Sequence, residues 1–190
     1  MEELENSVRT GQFAVKPRSA PYVIFSMPKA FYRRKLPRLQ RDNKPHFLTF
    51  CTDMRWTLPE PARDLTLECC LHDNEQKICV HAVVVMPDHV HMVFTPLVNE
   101  QASEVYSLGE IMDAIKGASA HKINRLLKRS GKVWQTESYD RVLRSSEKLD
   151  EKIQYILDNP VRKGLVSAWV EYRWLWYREP ENPCRLDVPA

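Results

Sequence analysis

The stretch from Ile78 to Thr95 leaves the backbone little choice. Ile78-Cys79-Val80-His81-Ala82-Val83-Val84-Val85-Met86 is rich in β-branched residues, which suit an extended, pleated chain. Pro87-Asp88 is turn chemistry, and His89 to Thr95 is a second extended run, so the segment predicts an antiparallel hairpin. Alternate side chains of a strand share a face. His89, His91 and Val93 therefore project one way, and Val90, Met92 and Phe94 the other. Two imidazoles one residue apart on an extended chain form a possible metal clamp, although most H-x-H pairs taken singly are structural. A competing zinc set of His72, Cys79 and His81 matches no standard ligand spacing.

Around this hairpin the segments alternate. His46 to Thr52 predicts a strand, and Pro59 to His72 a helix with Ala62, Leu65, Cys69 and His72 on its buried stripe. Ser107-Leu108-Gly109-Glu110 is a capping box that opens a long helix. Its buried side would carry Leu108, Met112, Ile115, Ser119 and Leu126, with Gly131 as terminator. Val133 to Arg144 predicts one or two short strands, and Glu147 to Asp158 a last helix stopped by Asn159-Pro160. Strand, helix, hairpin, helix, strand, helix is the order of a ferredoxin-like split βαβ sandwich. This is an α+β fold with an antiparallel sheet, helices on one face, and an appended C-terminal helix.

On that last helix Leu149, Ile153, Ile156 and Leu157 form the apolar stripe, and Tyr155 falls away from it. Tyr155 shares its face with Lys148, Lys152 and Asn159, the last being its i+4 neighbour. An outward tyrosine beside an amide and two lysines suits chemistry as well as a surface. Two imidazoles and one amide oxygen would give a divalent cation three ligands and leave room for phosphate oxygens. A phenol of ordinary pKa near 10 needs help to become a nucleophile, which a metal or Lys152 could provide. The chemistry that follows is in-line attack by Tyr155 on a phosphodiester. Tyr139, in SYDRVLR, is the competing tyrosine. It has no helical partner amide and is expected to be structural or to face DNA.

In 190 residues with a net charge of +3, the distribution of charge says more than its sum. Between Arg9 and Arg41 there are nine basic residues and no acid, among them Arg33, Arg34 and Arg38, interleaved with Tyr22, Phe25, Phe31 and Tyr32. One-signed segments with aromatic rings suit a polyanion, and a solvated tail is the bland alternative. Further basic residues could line a DNA track: Lys116, Lys122 and Arg125 on the long helix, Lys132 after it, then Arg141, Arg144, Arg162 and Lys163. Lys122 is equally placed to lay its stem along the apolar stripe. The expected division is a basic, Pro-containing arm over 1–40, a catalytic domain over 41–166, and an aromatic-rich tail over 167–190 whose rings cover core. No apolar run is long enough for a membrane span, and the odd, irregularly spaced set of five cysteines suggests a cytoplasmic protein with reduced thiols. Met27 is an alternative start.

MPDHVH, VWQTESYDRVLR and YILDNPVRKGLV, in this order, resemble the REP-associated tyrosine transposases of the single-tyrosine HUH superfamily. YRRKLPRLQ at 32–40 and HFLTFCT after it extend the likeness, which covers roughly Tyr32 to Trp176. The resemblance implies that His89 and His91 are metal ligands, Asn159 the third ligand and Tyr155 the nucleophile. It also implies Mg²⁺ or Mn²⁺ as cofactor, single-stranded or hairpin DNA as substrate, a 5′-phosphotyrosine and 3′-hydroxyl as products, and a monomer or homodimer. Arg38 departs from the pattern, since relatives often carry His there. A hairpin-binding regulator without catalysis, and a hydrolase using activated water, are the competing functions.

Overall fold

The computed structural model describes residues 43–99, 104–179, 181, 182 and 184. Arg33, Arg34 and Arg38 lie outside them. Five strands form one antiparallel sheet: β1 (His46–Thr52), β2 (Ile78–Val85), β3 (His89–Pro96), β6 (Trp134–Val142) and β7 (Leu175–Tyr177). Their order is β6-β1-β3-β2-β7. Without β7 this is the 4-1-3-2 arrangement of the split βαβ sandwich anticipated from the order of segments. A separate two-strand ladder pairs β4 (Val98–Asn99) with β5 (Glu104–Val105). Among the described residues three α-helices accompany the sheets: α1 (Glu60–Leu71), α2 (Leu108–Leu126) and α3 (Ser146–Arg162).

The cross-strand register sorts side chains onto two faces. Phe47 pairs with Val93, Thr49 with His91 and Cys51 with His89, so these six share one face. Leu48 and Phe50 point to the other. There Phe50 meets Trp134 edge-on at 4.9 Å, and the Trp134 indole N–H donates to Ser119 Oγ of α2 at 2.9 Å. Hence α2, with α1 packed against it, backs the Phe50 face. The third helix lies on the histidine face, where Tyr155 touches Phe47 and His91. Being covered on both sides, β3 is buried along its whole length.

Several local expectations are corrected. The buried stripe of α1 is Ala62, Thr66, Cys69 and Cys70, and His72 is exposed at the C-cap. The capping box at Ser107 forms, with Glu110 N–H donating to Ser107 Oγ, but Leu126 is exposed. The α2 terminus is a left-handed Lys128 rather than Gly131, with Lys128 N–H donating to Arg125 O and Arg129 N–H to Asn124 O. Of the one or two strands expected over Val133 to Arg144, a single strand forms, Trp134–Val142. Asn159-Pro160 does not stop α3, which runs to Arg162 with both residues buried. Its true terminator is Gly164 at φ 68, where Gly164 N–H donates to Val161 O and Leu165 N–H to Pro160 O.

The aromatic tail covers core, as expected, and one strand of it joins the sheet. Strand β7 pairs with the outer edge of β2, and Tyr172 and Trp174 are buried. The Tyr172 hydroxyl donates to Val85 O at 3.0 Å, the Trp174 indole N–H donates to Asp64 at 2.8 Å, and Arg63 stacks on Trp174. The expectation of uniformly reduced thiols fails at one pair: Cys79 and Cys184 form a disulfide buried beside Leu97. With Cys79 so engaged, His81 bonded to Thr95 Oγ1 and His72 exposed beside Asp73, the zinc set is not assembled. No helix among the described residues is long and apolar enough to cross a membrane.

Candidate active site

Tyr155, His91 and His89 converge where α3 crosses β3, and Asn159 follows one turn along the helix. The His89 and His91 rings are 4.7 Å apart, and His91 is 5.3 Å from the Tyr155 ring, centroid to centroid. Phe47 lies stacked on His91 at 5.6 Å and edge-on to Tyr155, forming the floor of the site. Tyr155 is thus half-buried against the sheet, not turned outward as its helical projection suggested. The projection measured distance from one apolar stripe. It could not show that the sheet beneath α3 is wide enough to take the neighbouring stripe as well.

Each imidazole is held through Nδ1. His89 Nδ1 is 2.6 Å from Asp88 Oδ1, and His91 Nδ1 is 2.7 Å from Thr49 Oγ1. A proton on Nδ1 in each ring satisfies these contacts and leaves both Nε2 lone pairs as ligands. Burial, then the neighbouring His89 and the charges of Lys152, Arg55 and Lys163, push His91 down to about 3. Burial likewise lowers His89, against the opposing pull of Asp88. Both rings are therefore neutral at pH 7, the form that binds metal.

Asn159 is only 5% exposed, and its Oδ1 is buried without a hydrogen-bond partner. A buried amide oxygen left bare costs roughly 1–3 kcal/mol, a cost that a ligand would remove. One turn before it stands Tyr155, in contact with His91. One turn after it stands Lys163, whose charge reaches both histidines. Among the described residues no three His, Cys, Asp or Glu cluster around a metal position. Two imidazoles and an amide oxygen make a donor set that could hold a divalent cation and leave it open positions.

Basic side chains divide between the two faces. Lys152 Nζ lies 5.4 Å and Arg162 Cζ 5.5 Å from the centre of the Tyr155 ring, so two cations flank the phenol. Arg141 pairs across strands with Phe47 and is exposed on the same face. Tyr139, opposite Thr49, lies in one row with Thr49 and His91 and is 52% exposed. Arg144 is exposed just ahead of α3. The α2 layer behind the sheet carries Lys116, Lys122 and Arg125, away from the histidines. There Lys116 donates to Gln135 O, Thr136 O and Ser138 Oγ, while Lys122 pairs with Glu68 at 2.6 Å. Lys132 is exposed in the loop after α2, where its carbonyl accepts from Arg129. A guanidinium that the sequence did not single out, Arg55, is ion-paired to Asp88 at 2.9 Å.

The family described as Transposase IS200 like matches residues 44–159, which hold both histidines, Tyr155 and Asn159. The chain belongs to the IS200-like transposase family. Membership makes this protein a transposase-type, DNA-processing enzyme. Among solved structures, a REP-associated tyrosine transposase bound to a REP hairpin is 18% identical, with a TM-score of 0.59 over 76% of this chain and 80% of that one. It shows the same fold. A putative transposase from Deinococcus radiodurans is 23% identical over 66% of this chain and 97% of its own, at a TM-score of 0.42. A bacterial tRNA(His) guanylyltransferase-like protein is 13% identical over 77% of this chain and 79% of its own, at 0.45. No curated protein matches the chain.

Proposed function

We propose that this IS200-like transposase is a metal-dependent single-stranded DNA endonuclease and strand-transferase acting through a covalent 5′-phosphotyrosine. The observation that carries the reading is the contact of Tyr155 with His91, one helical turn from a buried amide oxygen that lacks a partner. His89, His91 and Asn159 would hold Mg²⁺ or Mn²⁺. Once bound, such an ion polarises the scissile phosphate and offsets its charge.

The chain's own residues do the rest. Phe47 and the α3 backbone fix the Tyr155 ring, while Lys152 and Arg162 draw the phosphodiester toward it. Tyr155 Oη bonds to phosphorus as its proton passes to solvent. The P–O3′ bond breaks, and the departing oxygen takes a proton to become a free 3′-hydroxyl. Because the phosphoester is retained on tyrosine, a later 3′-hydroxyl can reverse the step without ATP. Hairpin-forming repeats are the proposed substrate, supported by the fold shared with a protein solved on a REP hairpin. The strand would run over the open half of the histidine face, with phosphates near Arg141 and Arg144 and a base on Tyr139. The basic residues Arg33, Arg34 and Arg38 would extend this track.

A denaturing gel tests the proposal. Labelled hairpins from the gene's flanks are incubated with Mn²⁺ or Mg²⁺, beside Tyr155→Phe and His89→Ala. A protein–DNA adduct with wild-type protein and metal only is the expected result. Cleavage that survives Tyr155→Phe would point to activated water, and binding without cleavage to a regulator; either overturns the phosphotyrosine mechanism.

A further inference from the structure

The segment following β1 contains a backbone feature that folding alone does not explain. Met54 and Arg55 both take left-handed conformations, at φ 51 and 57, although neither is glycine. Left-handed backbone is strained for residues that carry a Cβ. Met54 gains nothing by burial, being 88% exposed. What the kink does is aim Arg55 at the hairpin turn. Arg55 Nε donates to Asp88 Oδ2 at 2.9 Å, Asp88 Oδ1 lies 2.6 Å from His89 Nδ1, and Arg55 Nη1 donates to Cys51 Sγ at 2.7 Å. With its side chain 54% exposed, the Arg55–Asp88 pair returns little stability.

The same segment clamps the turn by its backbone. Thr52 N–H donates to Asp88 O at 2.9 Å and Leu58 N–H to Pro87 O at 2.6 Å, while the Thr52 hydroxyl sits 3.0 Å from Asp88 O. Asp88 is thus fixed from below by main-chain bonds and from the side by a guanidinium. Each of its carboxylate oxygens has a distinct partner, one charged and one an imidazole.

We propose that Arg55 and Asp88 are positioning residues for the metal-ligating ring of His89. Arg55 fixes the carboxylate of Asp88, and Asp88 holds the proton on His89 Nδ1, so that Nε2 keeps its lone pair for a ligand. The inference rests on the proposed metal site, and partners of this kind typically change metal affinity about 10–100-fold when removed. It also accounts for strain placed beside the site and not elsewhere in the turn.

Two measurements on the full-length protein test it. In EDTA-treated protein at neutral pH, long-range ¹H–¹⁵N spectra of the imidazoles report the tautomer of His89. Wild type should show the Nδ1–H form, Asp88→Ala a mixture shifted toward Nε2–H, and Arg55→Ala a smaller shift in the same direction. Mn²⁺ titration followed by electron paramagnetic resonance, without DNA, should show affinity lowered about 10–100-fold in Asp88→Ala and about 3–10-fold in Arg55→Ala, with Arg55→Lys restoring part of the loss. An Nε2–H tautomer in the wild type, or Arg55→Ala and Arg55→Lys both matching wild type in spectrum and Mn²⁺ affinity, overturns the proposal. Should Arg55→Ala fail to fold, Arg55→Lys and the wild-type spectrum still decide it. Failure of wild-type protein to bind Mn²⁺ counts against the metal site itself, whereas the His89 tautomer is read in metal-free protein.

Discussion

Replacing Asn159 with leucine should make the metal-free protein more stable while destroying its response to metal. The amide is 5% exposed and its Oδ1 has no partner, so the folded state carries an uncompensated polar group worth roughly 1–3 kcal/mol. Leucine has the same branching but greater bulk, and overpacking takes back about 1 kcal/mol or more. A net gain of about 1 kcal/mol remains, or roughly 2–4 °C in Tm for a chain of this size. The assay is thermal unfolding in EDTA and again in Mn²⁺. At about 100 times Kd, a bound ion adds about 2.7 kcal/mol, which raises the wild-type Tm by roughly 5–11 °C. The Asn159→Leu variant should show the first effect and lack the second. A fall in the EDTA Tm of more than about 3 °C would refute the reasoning, because it would mean that the amide is held by the fold and not kept for a ligand. Survival of the Mn²⁺ shift would remove Asn159 from the ligand set.

Trp174→Ala should cost about 3–5 kcal/mol in urea unfolding, since the ring is buried, stacked on Arg63 and bonded to Asp64; a loss under about 1 kcal/mol would mean that the tail is not part of the core. Arg141→Ala should weaken single-stranded DNA binding and flatten its salt dependence by about 0.7 in the log–log slope. Lys116→Met, whose ammonium is spent on β6 acceptors, should leave that slope unchanged and lower stability instead; equal slopes for both variants would refute this division. Acid should also destabilise the metal-free protein. His91 has a folded pKa of about 3, below its ordinary 6.5, so the unfolded chain binds more protons between those values. Stability from this group is complete above pH 6.5 and declines as pH falls, by about 1 kcal/mol between pH 7 and 5.5. Urea titrations of wild type and His91→Gln at both pH values check this, and an equal decline in the two would assign the effect elsewhere.

Much of the fold was legible because its signals are local. The β-branched run, the Pro87-Asp88 turn and the Ser107 capping box each dictate backbone over a few residues, and each forms as expected. The end of α3 was misread because Asn159-Pro160 is a strong local stop, whereas burial of both residues against the sheet carries the helix onward. Gly164, a little further along, was the available signal: a left-handed C′ position suits glycine. This difference also decides where Arg162 and Lys163 lie, since it is the added turn that brings them to the site. The two histidines, Tyr155 and Asn159 could be named from spacing, but the burial of Asn159 could not, because it depends on strands distant in sequence. Arg55 carried no signal at all. Its role arises from a two-residue left-handed kink in Met54-Arg55, which no propensity favours.

The pairing of β7 with β2 also sets a timetable for synthesis. Val80, Ala82, Val83, Val84 and Val85 are all buried in an apolar strand, and its outer edge is completed by Leu175–Tyr177. About ninety residues separate the two, from Val85 to Leu175. At about 5–20 residues per second the ribosome needs roughly 5–20 s to deliver the partner. For that interval the nascent chain presents an unpaired apolar edge of the kind that recruits other strands. The last strand made thus ends the period in which the hairpin bearing both histidines is open to aggregation.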